Sequence, residues 1–123
     1  MAKILLVEDE PMIRRMLELR LQMAGHQVDS AEDGRQGMEM ALAGDYEMLL
    51  MDMHMPVMDG HEATRRLREQ GYDRLIVAVT ASVMSAESEA AIRSGCDSYI
   101  AKPVGEDFEQ QVQARLDTGR GAG

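Results

Sequence analysis

Helices laid against both faces of one parallel β-sheet, a three-layer α/β sandwich, are the architecture toward which this chain points. Three solid apolar runs, residues 3–7, 48–51 and 75–79, have the continuous character of strands covered on both faces. Around them, apolar residues recur at helical spacing, and strands alternating with helices build βαβ units with right-handed crossovers. With 123 residues the chain has the size of one domain and can bury a core without disulfides.

The first run, ILLV after Lys3, is strand one. Pro11 suits the first turn of a helix, and Ile13, Met16, Leu17, Leu21 and Ala24 follow at helical spacing until Gly25 stops them. Residues 27–31 mix polar with apolar side chains, as an edge strand does. Asp33 is placed to cap a second helix that carries Met38, Ala41 and Leu42 and ends at Gly44. After the third strand, Asp59 caps a helix that runs through Ala63 and Leu67 to Gly71. A fourth helix, beginning near Met84, uses Ala91 and Ile92 and stops at Gly95. Residues 98–101 are again mixed, hence a second edge. Phe108, Val112 and Leu116 mark a fifth helix; the domain is expected over residues 1–117, with 118–123 as a flexible tail. Solid runs inside and mixed runs outside predict the sheet order 2-1-3-4-5, the flavodoxin-like arrangement of five strands and five helices.

Composition narrows the function. Hydrophobic residues make up 45% and aromatics only 3%, with no Trp, one Phe and twelve Met, so the core is aliphatic and thioether. Platforms for base stacking are missing. Thirteen Lys plus Arg against 22 Asp plus Glu give a formal charge of −9, which repels nucleic-acid phosphates and anionic membranes, so direct nucleic-acid binding is disfavoured. The N-terminal apolar run is cut short by Glu8 and Asp9, no stretch reaches the length of a membrane span, and the single Cys96 has no disulfide partner. A cytoplasmic setting without membrane insertion is the expectation, with Cys96 a small semi-buried hydrophobe rather than a reactive thiol.

In an open α/β sheet, ligands gather beyond the carboxyl ends of the strands, near the point where strand order reverses. Those ends carry Glu8 and Asp9 after strand one, Asp52 at strand three, Thr80, Ala81 and Ser82 after strand four, and Lys102 and Pro103 after strand five. Carboxylates so close would repel one another unless a cation intervened, and an all-oxygen set with room for water suits Mg²⁺. An aspartate can attack a phosphoryl group and form an acyl phosphate. A metal ion and Lys102 would offset charge on the transferring oxygens, while the Thr80 hydroxyl and nearby backbone N–H groups bond the rest.

With these residues in place, the stretches ILLVEDEP, LLMDMHMPVMDG, IVAVTAS and SYIAKPV, in this order, resemble a response-regulator receiver domain of two-component phosphorelay signalling over roughly residues 3–117. The resemblance implies that Asp52 is the phosphoacceptor and that Mg²⁺ is held by Asp9, Asp52, Glu8 through water and the backbone carbonyl of His54. It implies that the backbones of Met53 and Ala81 contact the phosphoryl group, that Thr80 follows it, and that Tyr99 is the aromatic switch partner. Lys102 would pair with the phosphate ahead of a cis Pro103. A histidine kinase or histidine phosphotransfer domain is the implied phosphodonor, and a downstream protein would read the surface of helix 4, strand 5 and helix 5. Such a module is a signalling domain rather than an enzyme, either stand-alone or part of a longer protein such as a hybrid kinase.

Rival readings exist for the same residues. MDMHMPVMDG, residues 51–60, could be a soft-metal box of thioethers and imidazole, but the hard acid pair on strand one has no use for a soft cation, and Met51 should face the core. A haloacid-dehalogenase-type phosphatase also uses an aspartate nucleophile with Mg²⁺, yet the second aspartate it needs two positions on is here His54. A flavin carrier lacks its Ser/Thr-rich phosphate loop, and a degenerate receiver that only binds partners would not keep Asp9, Asp52, Thr80 and Lys102 together.

Overall fold

The computed structural model describes residues 2–53, 55, 57–80 and 86–119. Five strands alternate with five helices: β1 (Lys3–Val7), α1 (Pro11–Met23), β2 (Gln27–Ala31), α2 (Gly34–Ala43), β3 (Met48–Asp52), α3 (Gly60–Glu69), β4 (Leu75–Thr80), α4 (Ala86–Ser94), β5 (Ser98–Ala101) and α5 (Phe108–Thr118). All neighbouring strands pair in parallel, in the order β2-β1-β3-β4-β5. The three solid runs occupy the interior and the two mixed ones the edges, because only interior strands have both faces covered.

Within each solid run, alternate residues enter different cores. Leu5, Val7, Leu49, Met51, Ile76 and Ala78 pack with Ala41 of α2, Ala63 and Leu67 of α3 and Ala91 of α4. Ile4, Leu6, Met48, Leu50, Val77 and Val79 pack on the other face with Leu17 and Leu21 of α1 and with Phe108 and Val112 of α5. Such side chains contribute about 1.5–3 kcal/mol each when fully buried. Phe108 is the bulkiest of the fully buried side chains and anchors α5.

Caps sit where the chain chemistry puts them. Asp33 accepts from the Gln36 N–H at 2.8 Å and Asp59 from the Glu62 N–H at 2.9 Å, opening α2 and α3. α1 is capped by Glu10, whose carboxylate accepts from Met12 and Ile13 N–H, and Pro11 follows at the first helical position. Glu8 accepts the Glu10 N–H at 3.2 Å just ahead of the helix, but the cap itself is Glu10 and not Glu8 or Asp9.

Two helix starts lie close enough to neighbouring backbone to demand glycine. Gly34 donates its N–H to the Met58 carbonyl at 3.1 Å, and a Cβ at Gly34 would collide with that same carbonyl oxygen. A Cβ at Gly60 would strike the Asp52 carbonyl and the Met53 side chain, so α3 begins directly beneath the end of β3.

β3 continues through Asp52 and β4 through Thr80, one residue beyond each apolar run, because ladder hydrogen bonding does not stop where hydrophobicity does. α5 runs through Asp117 and Thr118, with Gly119 donating to the Arg115 carbonyl at 2.8 Å. The expected start of α4 near Met84 and the last residues of the tail lie outside the described residues.

At the end of the sheet opposite the strand carboxyl ends, His26 is buried and accepts the Ala2 N–H on Nδ1 at 3.0 Å. Burial pushes its pKa below the ordinary 6.5, because the folded state favours the neutral ring. This stabilisation is complete above the unfolded-state pKa and is lost as pH falls through the lower folded-state value. The urea midpoint should therefore drop on going from about pH 7 to about pH 5, and His26→Gln should flatten that drop. Gly34→Ala should cost about 1–3 kcal/mol in urea denaturation, by forcing the Met58 carbonyl aside.

Candidate functional site

Strand register builds the site. Val7 lies opposite Met51, Asp52 opposite Val79, and Thr80 opposite Ala101, so the carboxyl ends of β1, β3, β4 and β5 finish at one level. Glu8 and Lys102 are the first residues past β1 and β5, and Asp52 and Thr80 are the last of β3 and β4. The four side chains belong to one rim.

Lys102 organises the charges there. Its ammonium stands 3.2 Å from a Glu8 carboxylate oxygen and 3.2 Å from Asp52 Oδ1. Glu8 and Asp52 are almost completely buried, each 2% exposed, so their repulsion is poorly screened by water and the ammonium between them offsets it. Burial pushes the Glu8 carboxyl above the ordinary carboxylate range and Asp52 adds to this, while the Glu10 N–H and Lys102 oppose it. For Lys102, burial alone would lower the pKa, but Asp52 and Glu8 outweigh it and hold the amine above its usual value. The amine is cationic at neutral pH.

Asp9 completes an acidic triangle: one carboxylate oxygen each from Glu8, Asp9 and Asp52 lie within 4.8 Å of one another. Around Mg²⁺ bound at 2.0–2.1 Å adjacent oxygens stand about 3 Å apart and only opposed ones about 4 Å, so the three carboxylates can gather on such an ion by closing in or through a bridging water. Hard oxygens alone, with Asp9 half-buried toward solvent, fit a hard cation that keeps part of its water.

The remaining expected residues fall as follows. Thr80 is fully buried at the end of β4, and its carbonyl accepts the Lys102 N–H at 2.7 Å, tying the amine's backbone to β4. The Lys102–Pro103 peptide bond is cis. Tyr99 is half-buried on β5 against the core on the α2, α3 and α4 face, and Arg115 of α5 donates to its carbonyl at 2.9 Å. Met53 gives its N–H to the Val79 carbonyl at 3.3 Å, and its side chain is buried beside Met51 and Met58 in the same core. These thioethers fill a gap under the rim instead of opening onto it. The backbone carbonyl of His54 and the backbone of Ala81 lie outside the described residues.

One residue escaped the sequence reading. Arg14, on α1, donates through Nη1 to the carbonyls of Glu8 at 2.9 Å and Asp9 at 3.4 Å, and so clamps the backbone that aims both acids. The available signal was a cation in the first turn after an acid pair. Cys96 is buried away from the rim, with its thiol pushed up to about 11 by burial, and is chemically inert.

Comparison with known proteins places this geometry in context. A family model described as the response regulator receiver domain matches residues 4–113. The two-component response regulator ORR41 of Oryza sativa subsp. japonica is 41% identical over 111 residues, which cover 87% of each chain. The sensor histidine kinase RcsC of Salmonella typhimurium is 36% identical over 90% of this chain, which spans only 12% of the kinase. Among solved structures, the receiver domain of the sensor histidine kinase PA1611 from Pseudomonas aeruginosa PAO1, with magnesium coordinated in its active-site cleft, superposes with a TM-score of 0.83. It is 35% identical, and the match covers 94% of each chain.

Removing the ammonium should expose the balance it keeps. In Lys102→Met the Glu8 carboxyl should titrate at still higher pH than in the parent chain, read from side-chain carboxyl NMR shifts. An unchanged Glu8 titration would mean that the ammonium is not what holds the two acids together.

Proposed function

The chain belongs to the response regulator receiver domain family, and from that footing we propose that Asp52 accepts a phosphoryl group from a phosphohistidine in a pocket that also takes Mg²⁺. Receiver domains of two-component systems are signalling domains, with phosphoacceptance as the general family function. The observation that carries the assignment is the Lys102 ammonium 3.2 Å from Asp52 Oδ1, beside the acidic triangle of Glu8, Asp9 and Asp52.

The chemistry balances at this site. An oxygen of the Asp52 carboxylate attacks phosphorus, the P–O bond forms as the P–N bond breaks, and the histidine nitrogen keeps that electron pair. Asp9, Asp52, Glu8 through water and the His54 carbonyl would hold Mg²⁺, which would offset charge on the transferring oxygens. Lys102 lies close enough to Asp52 to follow the new phosphoryl oxygens, its backbone being fixed through the Thr80 carbonyl. The Thr80 hydroxyl and the Met53 and Ala81 backbones supply further contacts in this reading. The magnesium in the cleft of the PA1611 receiver supports the metal assignment.

A signal leaves through the neighbouring strand. Side chains alternate along strands, so Thr80, two residues after Ala78, shares a sheet face with Tyr99, which pairs with Ala78. A phosphoryl group adds about one and a half to two negative charges. Movement of Thr80 toward them leaves room for Tyr99 to turn inward. Tyr99 borders a groove of about 330 Å³ with Glu89, Ile92 and Arg93 of α4, so its rotation remodels the surface that a partner meets. The donor is a histidine kinase or phosphotransfer domain, and the reader a protein bound at α4, β5 and α5. Among the described residues no helix is long and apolar enough to cross a membrane.

Incubation with acetyl phosphate and Mg²⁺ should add one labile phosphoryl group by intact mass, with none in Asp52→Asn and none after chelation of the metal. An adduct that survives Asp52→Asn would overturn the assignment.

A further inference from the structure

The first turn of α1 holds no acid, although its unpaired N–H groups favour one there, and it carries a cation, Arg14. This side chain is only 17% exposed, and its donors are spent chiefly on main chain. One nitrogen, Nη1, reaches two successive carbonyls, those of Glu8 at 2.9 Å and Asp9 at 3.4 Å, while Nη2 stands 3.8 Å from the exposed Glu32. A planar guanidinium fork can serve all three at once, which the single ammonium of a lysine cannot do in the same geometry.

The turn so gripped holds two of the three acids of the triangle. Glu8 has further ties, because its N–H donates to the Ala31 carbonyl at 3.1 Å and its carboxylate accepts the Glu10 N–H at 3.2 Å. Asp9 has fewer. Among the described residues no other side chain bonds its main chain, and it is half-buried where Glu8 and Asp52 are buried. The aim of Asp9 therefore depends on Arg14 more than that of either neighbour.

Charge alone would make Arg14 a hindrance at such a place. A guanidinium seated on the backbone of two acids repels any metal ion that those acids attract. Aim and charge thus act in opposite senses, and the sign of the effect separates them.

Resting on the Mg²⁺ pocket proposed above, we infer that Arg14 is a positioning residue: it aims the Asp9 and Glu8 carboxylates so that the pocket prefers a small, strict cation to a large, tolerant one. Mg²⁺ demands near-octahedral oxygens at about 2.0–2.1 Å, whereas Ca²⁺ accepts roughly six to eight at about 2.3–2.6 Å in a flexible array. An acid pair free to drift loses more with the first ion than with the second. Removing an outer group that orients metal ligands typically weakens binding about ten- to a hundredfold.

Titration of backbone amide NMR shifts with MgCl₂ and, separately, with CaCl₂ tests this in the full chain. In Arg14→Met the Kd for Mg²⁺ should rise about tenfold and that for Ca²⁺ less than about threefold, with the circular dichroism spectrum retained. Arg14→Lys keeps the charge and can bond one carbonyl, so its Mg²⁺ affinity should fall between those of the parent and Arg14→Met, and any loss there is one of aim. Should Arg14→Met fail to fold, Arg14→Lys decides alone. Mg²⁺ affinity that is unchanged or higher in the folded variants overturns the proposal, as does an equal loss for both ions, which is the mark of general loosening. The phosphoacceptor reading fails separately. A parent chain that binds Mg²⁺ but takes no phosphoryl group from acetyl phosphate loses the Asp52 assignment and keeps the role of Arg14; a parent chain that binds no Mg²⁺ loses both.

Discussion

An ammonium held between two buried carboxylates is the constraint around which this molecule is arranged. Glu8 and Asp52 are drawn together by the parallel pairing of β1 and β3, and neither has water enough to screen the other. Lys102, equidistant from both at 3.2 Å, makes the juxtaposition tolerable. A site whose charges are balanced by a movable side chain is also one that can be re-balanced. The backbone of Lys102 is tied to the Thr80 carbonyl, so its ammonium can change partners without any change in the sheet.

The surrounding fold supplies rigidity to this balance from several directions. Arg14 grips the main chain of the acid pair from α1, while Gly60 lets α3 start against the Asp52 carbonyl. Buried methionines 51, 53 and 58 fill the space below the loop that follows Asp52. Thioethers suit that position since they adapt to irregular gaps, and a core with few aromatics has many such gaps to fill.

Much of this was legible in the residue order. Hydrophobic runs located the three interior strands, polar admixture marked the edges, and Asp33, Asp59, Gly25 and Gly71 announced helix ends. The convergence of Glu8, Asp9, Asp52, Thr80 and Lys102 followed from topology alone, since a parallel sheet collects its strand termini on one side. Two features stayed hidden for physical reasons. The helix cap went to Glu10 and not to the acids before it, a choice decided by local backbone angles. Arg14 was invisible because its partners are main-chain carbonyls, which every residue possesses and no residue type advertises.

The level finish of the strands has a consequence for how such a chain can change over time. Side chains in a strand alternate between faces, so deleting one residue inside β3 would turn Asp52 away from the rim and exchange the contents of the two cores. A residue added to an exposed connection at the opposite end of the sheet shifts no strand phase and lengthens only a loop. The site is therefore written in odd and even positions: robust to edits in the linkers, intolerant of any frame slip in the strands.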